Sequence, residues 1–148
     1  MDKLEFKIET RKKDDHEYDS VRIFINDKDL IKLLKDFETP LAKSEGSENI
    51  AGGYDGLTSI ELHKSLTDRQ GGEKARILEC ECGCDGCWPF MTEINESNDK
   101  IVWTNFEQPH RGQESSRFWD YSTFGEFSFD KNEYLRQVER LKTIITAD

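Results

Sequence analysis

Val21-Arg22-Ile23-Phe24-Ile25-Asn26-Asp27-Lys28-Asp29-Leu30-Ile31-Lys32-Leu33-Leu34-Lys35-Asp36-Phe37 changes its hydrophobic period once, at the polar stretch Asn26–Asp29. Before that stretch, Val21, Ile23 and Ile25 recur every second residue, the spacing of a strand with one buried face. After it, Leu30, Ile31, Leu33, Leu34 and Phe37 recur at helical spacing, and the polar stretch itself is rich in helix-capping residues. The spacing predicts a helix over Asp29–Glu38 that stops before Pro40, because the residue preceding a proline avoids the α region. The same switch recurs near the other end of the chain. Phe127 and Phe129 alternate with Glu126 and Ser128, and Asp130 stands three residues before Glu133 as in a capping box. Tyr134, Leu135, Val138, Leu141 and Ile145 then form an apolar stripe, which predicts a helix over Lys131–Ile145.

Working outward, Leu4, Phe6 and Ile8 alternate with charged residues and predict a strand that pairs with Val21–Ile25 across a long charged connection, Arg11–Asp19. His16 falls in that connection. Leu41–Gly56 reads as a long loop, and Ala51-Gly52-Gly53-Tyr54-Asp55-Gly56-Leu57 is its most distinctive part. Its glycines lack the spacing of a phosphate-binding loop. Leu57–Leu62 reads as a short strand and His63–Glu73 as a polar turn. Arg76–Cys82 and Cys87–Ile94 read as two strands around Gly83-Cys84-Asp85-Gly86, and Ile101–Phe106 as a third, giving an antiparallel meander. The expected fold class is α+β: a single domain over 1–148, with an antiparallel sheet (meander plus hairpin) and two main helices packed on one face.

A chain of 148 residues fits one domain. No run approaches the roughly 18–20 apolar residues of a membrane span. Met1–Glu5 has neither the cationic nor the apolar region of a signal peptide. Hydrophobic residues make up 34% and charged residues 35%, but 11% aromatics argue for a packed core rather than disorder. The formal net charge is −10, and Ile77–Asp130, with eleven acidic and three basic residues, carries −8 of it. Such a field repels phosphate backbones and anionic membrane surfaces, so neither nucleic acid nor membrane is an expected partner. A protein with a basic surface, or a metal cation, fits better.

All four cysteines lie within eight residues, in Cys80-Glu81-Cys82-Gly83-Cys84-Asp85-Gly86-Cys87. Any disulfide among them would close a tiny loop and constrain little, which points to a reducing cytoplasm. Strand alternation puts Cys80 and Cys82 on one face, and the glycine-bounded turn returns Cys87 beside them. The fourth ligand is then Cys84 or a remote His; His110, just past the neighbouring strand, is the best remote candidate, so Cys80, Cys82, Cys87 and His110 form a candidate tetrahedral set for zinc. A second CxxC pair is missing, so the competing reading stays open: small thiols packing a tight turn. Cys84–Cys87 also has CxxC spacing, but acidic neighbours disfavour the thiolate that dithiol chemistry needs. A second cluster, Trp103, Phe106, His110, Arg111, Trp119, Asp120, Tyr121 and Phe124, mixes aromatics with a candidate His110–Asp120 acid–base pair. It reads mainly as core.

The run Cys80-x-Cys82-Gly83-x-x-Gly86-Cys87-Trp88-Pro89, then Val102-Trp103-x-x-Phe106-x-x-Pro109-His110-Arg111, then Trp119-Asp120-Tyr121-Ser122-x-Phe124-Gly125-x-Phe127-x-Phe129-Asp130 resembles a family of uncharacterised bacterial proteins. The resemblance extends from about Val21 onward. It implies a bacterial cytosolic protein, transfers no catalytic residue, and favours Cys80, Cys82 and Cys87 over Cys84 in any shared site. Two functions therefore compete. One is a small acidic interaction or accessory domain with a structural zinc. The other is an enzyme, a thiol oxidoreductase or metal-dependent hydrolase, using the cysteine cluster with His110.

Overall fold

The computed structural model describes residues 1–44, 46, 51–68, 73–80, 89–109 and 119–146. The fold is α+β. Strands β1 (Leu4–Lys13), β2 (His16–Ile25) and β3 (Lys28–Asp29) form an antiparallel three-stranded sheet. Helix α1 (Leu30–Ser44) follows, then β4 (Tyr54–Gly56), α2 (Ser59–Thr67), β5 (Ala75–Cys80), β6 (Phe90–Glu96), β7 (Lys100–Glu107), β8 (Phe127–Asp130) and α3 (Lys131–Thr146). Strands β4 to β8 make a five-stranded antiparallel sheet in sequence order. Among the described residues, backbone hydrogen bonds join the two sheets at two places. Val21 N–H donates to the Leu57 carbonyl at 2.8 Å, and Asp2 N–H donates to the Ser128 carbonyl at 2.8 Å.

The switch from strand to helix occurs at both sites where the sequence predicts it. Asp130 Oδ2 accepts from Glu133 N–H at 3.0 Å, so α3 starts at its expected cap. Asp29 Oδ1 accepts from Ile31 N–H at 2.9 Å at the start of α1, and the Asp29 carboxylate also binds the Arg22 guanidinium. Several local expectations need correction. The segment Arg11–Asp19 is not an open connection: β1 and β2 run to a two-residue turn, Asp14-Asp15, with φ of 50° and 67°. Two successive positive φ values match the right-handed strand twist, and Asp tolerates them. Asn26-Asp27 makes the same turn between β2 and β3.

Helix α1 does not stop before Pro40 but continues to Ser44. Its buried row is Leu30, Leu34, Glu38 and Ala42, all at 0% exposure, so the turn beyond the proline completes a core-facing stripe. That burial outweighs the one backbone bond the proline removes. Leu41–Gly56 is accordingly not one loop, since it contains the end of α1 and all of β4. Leu57–Leu62 is not a strand. Thr58 Oγ1 accepts from Glu61 N–H at 3.2 Å and caps α2, whose Ser59, Leu62 and Leu66 are buried while Ile60 is exposed. The polar turn His63–Glu73 therefore begins as helix. The meander strands stand where expected: β5 is described to Cys80 and β6 from Phe90, while the expected strand ends at Cys82 and Cys87 lie outside the described residues.

Gly56 sits where β4 crosses β2. A Cβ there would lie 2.2 Å from the Val21 carbonyl oxygen and 2.7 Å from Ser20 Oγ. The backbone cannot withdraw without breaking the Val21–Leu57 bond. Gly56→Ala should cost roughly 3 kcal/mol. Urea unfolding checks this, and a loss under about 1 kcal/mol contradicts the packing described.

Candidate functional site

In an antiparallel meander the end of β5, the start of β6, the end of β7 and the start of β8 share one end of the sheet. Leu78 pairs with Phe90, Met91 with Glu107 and Trp103 with Phe127, which fixes that end by register. Cys80 is the last residue of β5, and Gln108 follows directly after β7. The segments that follow them in the chain carry Cys82, Cys87 and His110, all outside the described residues. Of the four candidate ligands only Cys80 is described. It is buried and stands opposite Tyr54 of β4, so the two side chains share a face of the sheet.

Beneath this end lies a polar cluster that the sequence reading did not single out. Glu38, at 0% exposure, occupies an apolar row of α1. Its Oε1 accepts from Gly52 N–H at 2.9 Å, and its Oε2 accepts from Tyr54 Oη at 2.6 Å and Tyr121 Oη at 2.5 Å. Gln108 Nε2 donates to Tyr54 Oη at 3.0 Å. One carboxylate thus ties α1, the glycine loop, β4, the end of β7 and the Trp119–Tyr121 segment together. Gly52 permits this contact. Its φ is +67°, and a Cβ would meet Lys35 Cβ at 2.5 Å, so only glycine brings that N–H to the carboxylate. The motif 51–57 is therefore explained by packing against Glu38 and Val21.

Electrostatics follow from burial. Tyr54 and Tyr121 both have pKa values raised far above the ordinary phenol value, chiefly because burial disfavours the phenolate. For Tyr54 the neighbouring Glu38 charge adds to this, and for Tyr121 the charges of Tyr54 and Glu38 do. Both tyrosines are hydrogen-bond donors at neutral pH. Gln108, 3% exposed, has a buried Oε1 without a hydrogen-bond partner among the described residues.

A second buried carboxylate, Asp55, accepts through Oδ1 from Gly56 N–H at 2.8 Å, Ser20 Oγ at 3.0 Å and Arg11 at 3.1 Å. It fixes β4 to the hairpin. Asp120, the candidate partner of His110, is exposed. It accepts from Ser122 N–H at 2.9 Å, which holds its carboxyl below the usual range. The aromatics of the second cluster are core. Phe90, Phe106, Tyr121 and Phe124 contact one another with ring centroids 5.2–6.4 Å apart. Trp103 Nε1 donates to Tyr134 Oη at 3.1 Å.

Glu38 was detectable in principle. It falls at i+4 from Leu34 and i−4 from Ala42, and a carboxylate in the middle of an apolar helical row demands buried donors. Ending the helix before Pro40 hid it. Among the described residues no group of three His, Cys, Asp or Glu side chains converges as a metal site, and no helix is long and apolar enough to cross a membrane. No protein-family model, curated protein or solved structure matches the chain.

Proposed function

We propose that this is a small acidic interaction or accessory domain that presents its cysteine cluster and its His110 segment from one end of the five-stranded sheet, with a structural zinc held by Cys80, Cys82, Cys87 and His110. The observation that carries the reading is the shared footing of Cys80 and Gln108. Cys80 faces the Tyr54 position across the β4–β5 pair, and Gln108, two residues before His110, donates to the Tyr54 hydroxyl. A rigid base for both stems lowers the entropy lost when four ligands are gathered. Zinc would fix the two segments, and its charge would stabilise thiolates in an otherwise acidic region. The basic protein surface expected from the −8 of Ile77–Asp130 is the proposed partner, and the reducing cytoplasm implied by the clustered cysteines is the proposed location.

The test is metal analysis and thermal unfolding of protein purified under reducing conditions. The expected result is one zinc per chain and a melting temperature lowered by a chelator. A metal-free protein whose melting temperature ignores the chelator overturns the zinc assignment.

A further inference from the structure

Helix α1 carries more apolar surface than its buried row uses. Leu33 and Phe37, four residues apart and so on one flank, are only partly buried beside the fully buried Leu30, Leu34 and Glu38. Phe124 and Phe127, also partly buried, and Ile25 at the end of β2 join them in lining a cleft of about 320 Å³. That is the small end of the roughly 300–1,000 Å³ range of ligand sites, which are mostly apolar with a few polar groups. Both sheets and α1 contribute to its walls. Three of the lining side chains are rings set edge to face, Phe37 and Phe124 with centroids 5.2 Å apart and Phe124 and Phe127 6.1 Å apart. Two polar residues complete the lining, Asn26 and Lys28. Asn26 is already used: its Oδ1 accepts from Lys3 N–H and its Nδ2 donates to Asp2, both at 2.9 Å. The Lys28 ammonium has neither an ion pair nor a hydrogen bond among the described residues.

We infer that this cleft binds a small aromatic carboxylate, its ring among Leu33, Phe37, Phe124 and Phe127 and its carboxylate on Lys28. The walls select the ring. An aromatic guest continues the edge-to-face packing already present there and covers apolar surface that the core leaves open. Lys28 selects the charge, as the one charged residue in the lining. The acidic residues on either side of it in the chain do not compete for its ammonium: Asp27 lies 4.0 Å from Lys3, and Asp29 binds the Arg22 guanidinium. Glu126, between the two phenylalanines in sequence, is exposed and does not line the cleft. A single ammonium suits one carboxylate rather than a phosphate, which is held by several donors at once. The net charge of −10 does not forbid this, because exposed charges more than about 8–10 Å away are largely screened at physiological salt.

Amide NMR spectra of the isotope-labelled full chain, titrated at neutral pH and physiological salt with phenylacetate to about 20 mM, test this. Saturable shifts should centre on the amides of Lys28, Leu33, Phe37, Phe124 and Phe127, with a Kd on the order of 1 mM for so small a ligand. Phenylacetamide keeps the ring and the shape without the charge, and should bind about fivefold more weakly. Acetate keeps the charge without the ring, and should give no saturable shift over the same range. Lys28→Gln should weaken phenylacetate by the same factor of about five and leave phenylacetamide unchanged. A wild-type chain without saturable shifts at these amides overturns the proposal. So does equal affinity for the acid and the amide, a Lys28→Gln chain that binds the acid at full strength, or acetate producing the shifts of phenylacetate. The comparison of acid, amide and acetate needs no variant, so it decides even if Lys28→Gln does not fold.

Discussion

Glu38→Ala should lower the stability of the folded chain by about 3–5 kcal/mol. The substitution removes the acceptor for three donors at once: Gly52 N–H, Tyr54 Oη and Tyr121 Oη. Each buried donor left without a partner costs roughly 1–3 kcal/mol, and partial re-pairing of the two hydroxyls keeps the total below the sum. The loss is a large part of the roughly 5–15 kcal/mol available to a domain of this size. Glu38→Gln keeps the volume and one acceptor oxygen but turns an NH2 group toward the donors, so it should cost about half as much. Urea unfolding measures both variants. A Glu38→Ala loss under about 1 kcal/mol would show that the cluster does not hold the segments together.

The second large effect is alkaline. Tyr54 and Tyr121 ionise near 10.0 when unfolded and far above that when folded. A raised folded pKa means that the folded state keeps its proton while the unfolded state loses it. The resulting stability is fully present below pH 10 and is lost as pH rises beyond it. Each tyrosine contributes a slope that rises to about 1.4 kcal/mol per pH unit above pH 10, so the pair removes roughly 3 kcal/mol between pH 10 and 11.5. Tyr121→Phe should flatten that slope by about one proton's worth, independently of its own cost in stability. Unfolding free energies measured across this range check the prediction. Equal slopes in the two proteins would contradict the burial described for Tyr121.

The legible parts of the fold were those where period and capping agreed. Phe127 to Leu141 switches from strand to helix across Asp130 and Glu133, and the structure places α3 there. The parts that were not legible involve competition between local and tertiary terms. Pro40 signals a helix end, yet burial of Ala42 carries α1 four residues beyond it. Thr58 and Glu61 have capping-box spacing, but Leu57, Ile60 and Leu62 gave a short apolar run that periodicity alone cannot assign. Asp14-Asp15 was hidden inside a charged run, because tight hairpin turns are more often marked by glycine. At the candidate site, the sequence indicated the cysteines and His110 through their side-chain chemistry. It did not indicate Glu38, Tyr54, Tyr121 and Gln108, whose roles depend on contacts between residues up to 83 apart in the chain.

The zinc assignment makes Cys80 a metal ligand rather than a buried thiol that fills space beside Tyr54. Cobalt substitution distinguishes the two, because tetrahedral cobalt absorbs strongly in the visible and each bound thiolate adds charge-transfer intensity in the near ultraviolet. The most direct measurement is a cobalt titration of the wild-type chain beside Cys80→Ser. The account predicts one tetrahedral cobalt per wild-type chain, with a charge-transfer band that falls by about one third in Cys80→Ser as three thiolates become two. A wild-type chain without a thiolate band, or a band that Cys80→Ser leaves at full intensity, would contradict it.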